Sequence, residues 1–346
     1  MSEKYVAYVG SYTRGESEGI TILDLNPEYA YYTVRGTVRI NNPSYLTLSD
    51  DGRYLYSTCD EGVAAFQVRE DGELALLDKA PVNGLRPRYL DVNSDNSYLI
   101  SAGYHDAKLT VLRLNNDGTI AGVTDEVFMK SLGSDAGRNY TCHLNCALFS
   151  PDERFIMTVD MGMDQIRVYA FNKETGTTTL HDIVRCDMES NPSHLMFSGD
   201  GKYAYLTYEN KNAVTQFAYD AETAAFTKMD TVSTLPEKQP RYNSAVAVKL
   251  TEDGQHVFVT NSGDNSVAIY NIDPEDHHME KICVLPVSGE YPRDLVVMPN
   301  GRLITAVNQE GNSLTSFKVN YEKGTILMVD KPLILPSPTV LKIRKL

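Results

Sequence analysis

Apolar and polar residues alternate along most of this chain in short runs, and the runs recur. One unit reads Pro, a small or basic residue, any residue, Leu, alternating apolar positions, an Asp-Gly-Arg-Tyr type of turn, and a second alternating run. Copies read PSYLTLSDDGRYLYSTC from Pro43, PRYLDVNSDNSYLISAG from Pro87 and NCALFSPDERFIMTVD from Asn145. They continue as PSHLMFSGDGKYAYLTY from Pro192, AVAVKLTEDGQHVFVTN from Ala245 and PRDLVVMPNGRLITAVN from Pro292. The turns fall at Asp51, Asp95, Asp152, Asp200, Asp253 and Asn300, at separations of 44, 57, 48, 53 and 47 residues.

A period of two predicts half-buried β-strands, because successive side chains point to opposite faces of a sheet. The Asp-Gly type of turn supplies the positive φ of a tight hairpin. A third strand follows in each copy (GVAAFQV, KLTVLRL, QIRVYAF, AVTQFAY, SVAIYNI, SLTSFKV), then a more polar fourth. Four strands in ~45–55 residues is the period of a β-propeller blade. No helical periodicity competes with it.

Six copies leave a seventh that is split. The N-terminus reads YVAYVGSYT, GITILDL and YTVRGTVRI, three strands without an innermost one, and the C-terminal SPTVLKI matches the first strand of the unit. Residues after about Ser337 are therefore expected to complete the first blade, which leaves no open sheet edge. The prediction is an all-β fold: one domain over residues 1–346, a seven-bladed propeller with four antiparallel strands per blade, closed by both termini.

Such a fold places its innermost strands around a central channel, so residues around each leading proline should line one mouth. They include Asn42 and Ser44; Arg86, Arg88 and Tyr89; Arg138, His143 and Asn145; Ser193 and His194; Arg241 and Asn243; and Tyr291, Arg293 and Asp294. The ends of the following strands add a second ring, with Asp60, Tyr104, His105, Asp160, Glu209 and Gln309 among them. Arginine binds carboxylate or phosphate in bidentate fashion. Histidines 143 and 194 are acid–base candidates near neutral pH, and Glu209 is a candidate base for water.

Charge sharpens this picture. The chain has 346 residues and a formal net charge of −14, which argues against nucleic acid or an anionic membrane as partner. Five arginines converging on one mouth of an acidic protein instead suit a small anionic ligand. There is no signal-peptide layout and no apolar run of membrane-spanning length, so the expected location is the cytoplasm. The five cysteines, Cys59, Cys142, Cys146, Cys186 and Cys283, are odd in number and scattered, as reduced thiols would be. Asp160-Met-Gly-Met-Asp164 lacks the ligand count of a calcium loop and reads as a turn. His277-His278 reads as a solvated loop. No Gly-x-Ser-x-Gly elbow and no phosphate-binding glycine loop occur. No metal or cofactor is expected.

Nearly the full length resembles the lactonase family of seven-bladed propellers, most specifically in VGSYT…EGI and CHLNCALFSPDERF…VDMGMDQIRVY. That family includes propeller-type bacterial 6-phosphogluconolactonases and a fungal 3-carboxy-cis,cis-muconate lactonizing enzyme. The resemblance implies roles for Arg138 and His143, which fall on the family's Arg and first His, and for Glu209, which falls on the Glu of an Asn-Glu pair. It departs at Asn145, which replaces a second His, and at Ser193 and Ser262, which replace arginines; Ala247 replaces a glutamate. The expected activity is hydrolysis of a sugar-acid lactone such as 6-phosphogluconolactone, with His143, Glu209 and Arg138 catalytic. Substrate contacts are expected from Arg88, Asn145, His194, Arg241 and Arg293. The alternatives are a muconate cycloisomerase on the same scaffold and a non-catalytic propeller that binds a metabolite or protein.

Overall fold

The computed structural model describes residues 4–130, 141–236 and 242–346; Arg138 and Arg241 lie outside them. The repeat folds as its pattern requires. Seven antiparallel sheets each carry four strands, sequential in six of them, and one sheet has a short extra strand, Leu333–Ile334. Their innermost strands are Pro338–Lys345, Leu46–Leu48, Tyr89–Val92, Leu144–Phe149, Pro192–Phe197, Ser244–Leu250 and Pro292–Val297. Each contacts the next and the last contacts the first, closing a ring.

Closure is made by the termini. Pro338–Lys345 pairs antiparallel with Tyr5–Ser11, with Val9 opposite Leu341 and Tyr5 opposite Lys345. The split blade is therefore stitched by a backbone ladder between the two ends of the chain.

The six hairpin turns share one chemistry. At the turn position after each Asp or its equivalent, φ is positive: 67° at Gly52, 56° at Asn96, 58° at Glu153, 70° at Gly201, 69° at Gly254 and 65° at Gly301. The preceding aspartate accepts a side-chain bond from two residues upstream, as Ser49 to Asp51 at 2.7 Å and Thr251 to Asp253 at 2.6 Å. Glu153 is the outlier, since asparagine adopts this region readily and glutamate does not. Its carboxylate reaches into the neighbouring blade, accepting from Asn93 at 3.3 Å, and is also paired within its own blade with Lys173 at 3.0 Å.

The apolar core lies between blades, as seven wedges rather than one centre. Tyr8, Ile20 and Ile22 pack on Leu55 and Phe66 across one interface, and Val9 and Leu23 pack on Leu303 and Val307 across the next. Tyrosines tie blades at their polar tips, which is how a buried phenol avoids an unpaired hydroxyl. Tyr8 Oη donates to Gly72 O at 2.8 Å, and Tyr98 Oη to Lys173 O at 2.9 Å. Among the described residues no helix is long and apolar enough to cross a membrane.

Candidate active site

Each innermost strand enters the channel from the same face, so the residues at its start meet on the axis. All seven blades contribute to one cavity of about 50 Å³ there. Its walls are Thr339, Tyr45, Arg88, Tyr89, Asn145, Ser193, His194, Val246, Ala247, Arg293 and Asp294. The structure thus brings together four of the five expected substrate contacts, Arg88, Asn145, His194 and Arg293, with the mouth residues Tyr89, Ser193 and Asp294.

Glu209 joins them through a relay. Asn145 Nδ2 donates to Ser193 Oγ, and Ser193 Oγ donates to Glu209 Oε1 at 2.8 Å. The serine that stands in place of an arginine therefore orients the carboxylate. Arg88 lies within reach of its charge. Burial and the nearby Arg293 charge lower the Arg88 pKa from the ordinary arginine value. Its guanidinium packs over the Tyr104 ring at 5.4 Å and makes no hydrogen bond among the described residues. Asn145 Oδ1 and Thr339 Oγ1 are also buried without a partner. An unpaired guanidinium and two orphaned oxygens in one cavity are unused capacity for a polar ligand, since buried polar groups are ordinarily bonded.

The two histidines differ. His143 sits at the rim, half-buried and stacked on Tyr104 with ring centroids 4.6 Å apart. Its Nδ1–H donates to Tyr104 O at 3.0 Å, which leaves Nε2 to accept, and Thr141 Oγ1 lies 3.2 Å from it. Tyr104 thereby links His143 to Arg88. His194 lines the cavity, but it is not the neutral-pH acid or base suggested by the sequence. Its Nδ1 accepts from Val248 N at 3.1 Å, and its Nε2 lies 3.3 Å from Tyr89 Oη. Burial, with Lys249 next, pushes its pKa down to about 3. It is a neutral structural ring beside Tyr89, whose own ring packs on Tyr45 at 4.2 Å.

Farther along the inner strands lies a charge-balanced belt. Lys249 pairs with Asp294 at 3.0 Å. Burial raises Asp91 to about 7 and lowers Lys342 to about 8.

Three residues at or beside this cavity escaped the sequence reading: Tyr45, Thr339 and Tyr12. Thr339 comes from the C-terminal strand. Tyr12, just past Tyr5–Ser11, lies among arginines of other blades. Arg293 Nη1 donates to Tyr12 Oη at 2.9 Å and to Gln309 Oε1 at 2.5 Å. Arg293, Arg86 and Arg14 stand 5.0, 5.4 and 5.9 Å from the Tyr12 ring. Arg86 is held by Asp60 at 3.0 Å. The signal was present in VGSYT. It does not follow a leading proline, because this blade's proline is at the far end of the chain.

Asp160 and Asp164 bound a turn, as expected, and each carboxylate accepts from backbone. Asp160 Oδ1 accepts from His143 N at 3.0 Å, and Asp164 Oδ1 from Asn191 N at 2.9 Å. Among the described residues no group of His, Cys, Asp or Glu is placed to hold a metal. None of the five cysteines forms a disulfide.

Known proteins are similar to this chain over nearly their whole length. A 6-phosphogluconolactonase of Bacillus subtilis (strain 168) is 28% identical over 345 residues, 98% of each chain. One of Formosa agariphila is 25% identical, covering 97% of this chain and 98% of its own. The structure of a periplasmic gluconolactonase from Pseudomonas aeruginosa superposes with a TM-score of 0.91 at 26% identity, covering 98% of this chain and 99% of that one. The model of the family described as Lactonase, 7-bladed beta-propeller, matches residues 6–343, and the chain belongs to that family.

Proposed function

We propose that the protein opens a sugar-acid lactone by hydrolysis in the central cavity, with 6-phosphogluconolactone or a close relative as substrate. The observation that carries this reading is the Arg88 guanidinium, a wall of the cavity that is unpaired among the described residues and lies within reach of the Glu209 charge. A cation in the cavity wall and a carboxylate within reach of its charge are what addition of water to a carbonyl needs. The similarity to 6-phosphogluconolactonases supports the same reaction class.

In this mechanism Glu209, aligned by Ser193, takes a proton from water as the water oxygen attacks the ring carbonyl. Arg88 faces the oxygen on which negative charge develops. A preorganised donor of this kind is worth about 3 kcal/mol. Asn145 Oδ1 and Thr339 Oγ1 would meet substrate hydroxyls. His143 acts at the rim through Tyr104. Two arginines line the cavity among the described residues, which suits one anionic group better than the several carboxylates of a muconate. The five cysteines without disulfides fit a reducing, cytoplasmic setting.

The test is the rate at which freshly generated 6-phosphogluconolactone opens, against its spontaneous opening. Wild type should accelerate it, and Arg88→Ala should lose about 100-fold or more in kcat/KM. Arg88→Ala acting like wild type would remove the basis of the proposal.

A further inference from the structure

The Tyr12 phenol is built into its place. Its backbone N–H donates to Ser337 O at 3.1 Å, and the next residue is clasped by Asn42 in both directions, Thr13 N to Asn42 Oδ1 at 3.0 Å and Asn42 N to Thr13 Oγ1 at 3.1 Å. The segment is thus held from both sides by the two chain stretches that flank the closing blade. Its hydroxyl accepts from Arg293, a wall of the cavity. The phenolic proton is then committed to no other group among the described residues. Around the ring stand Arg14, Arg86 and Arg293, with Asp60 behind Arg86. Arg88 and Tyr291 are also within electrostatic reach of Tyr12.

We infer that Tyr12 is the proton donor to the leaving oxygen when the lactone ring opens, and that Arg293 holds the phenolate left behind. The inference rests on the lactone-hydrolase reading and adds the group that reading lacks. Water adds to the carbonyl and its proton passes to Glu209. As the tetrahedral adduct collapses, the bond between the carbonyl carbon and the ring oxygen breaks. The ring oxygen takes the electron pair of that bond and the Tyr12 proton, and becomes a hydroxyl. The product is a hydroxy acid. Glu209 returns its proton to solvent, and Tyr12 regains one from solvent. An alkoxide is too basic to leave unaided, whereas a phenol held by an arginine gives up its proton more easily than a free one. The charges point the same way: burial works against ionisation of Tyr12, but Arg293, then Arg88 and Arg86, outweigh it and hold its pKa below the ordinary tyrosine value.

Two readouts test this. The first needs no substrate: near-ultraviolet difference titration of wild type against Tyr12→Phe. It should show one phenolate forming below the ordinary tyrosine range, moved back up in Arg293→Gln. A difference spectrum titrating at or above the ordinary range would overturn the inference. The second compares 6-phosphogluconolactone with its ring-sulfur analogue, whose thiolate leaves without a proton. Tyr12→Phe should lose about 100-fold in kcat on the oxygen lactone and little on the sulfur one. Equal losses on both would mark Tyr12 as a structural residue and overturn the assignment. If wild type opens neither compound, the hydrolase reading falls and the leaving-group role falls with it. An active enzyme with an ordinary Tyr12 titration refutes the Tyr12 assignment alone.

Discussion

His194 should make the protein sensitive to acid, and the size of the effect follows from its surroundings. Its ring is neutral in the folded state, with a pKa of about 3, against 6.5 for a free side chain. Below pH 6.5 the unfolded chain binds a proton that the folded chain refuses, so stability present above 6.5 is lost progressively as pH falls towards 3. Each pH unit is worth about 1.36 kcal/mol, so the whole gap corresponds to about 5 kcal/mol and the part reached at about pH 4.5 to about 3 kcal/mol. Water in the cavity beside the ring would solvate part of the charge, so the second figure is a ceiling. His194→Asn removes the titrating group and keeps an acceptor near Nδ1 for Val248 N. Urea unfolding of both proteins at about pH 7.5 and about pH 4.5 isolates the term, since other groups cancel in the comparison. The variant should lose about 2–3 kcal/mol less than wild type over that interval. Equal losses would show that His194 is protonated in the folded protein and refute the reasoning.

Two further outcomes follow from the rim. His143→Ala removes the ring stacked on Tyr104, not a group in the cavity wall, so it should lower kcat/KM by about tenfold, less than Arg88→Ala, in the same lactone assay. A Cβ on Gly162 would lie 1.8 Å from Thr141 O, so Gly162→Ala must displace the segment that presents His143. It should cost about 1–3 kcal/mol in urea unfolding, and a variant as stable as wild type would show that this close approach yields freely.

The fold was legible because each blade is specified locally. Alternation names the strands, and the Asp-Gly turns fix their register. The residues at the channel mouth followed, since the leading proline marks where each inner strand begins. Closure by Pro338–Lys345 was readable from one matching motif at the wrong end of the chain. Glu153 shows the limit of local rules: a glycine position is filled by a residue whose strain is offset by bonds into the next blade. The chemistry of the mouth was less legible because it is set between blades. His194 reads as a neutral-pH acid or base until Tyr89 and the buried lysines are placed around it. Ser193 reads as a lost arginine until it is seen to orient Glu209. Tyr12 acquires its character from Arg86 and Arg293, residues far from it in sequence.

The most direct test of the central claim is the opening of fresh 6-phosphogluconolactone by wild type and by Glu209→Gln, each measured against the spontaneous rate. The account predicts acceleration by wild type and a fall of about 100-fold or more in the variant, because glutamine keeps the bond from Ser193 but cannot take a proton from water. Wild type no faster than the spontaneous reaction, or a variant as fast as wild type, would contradict it.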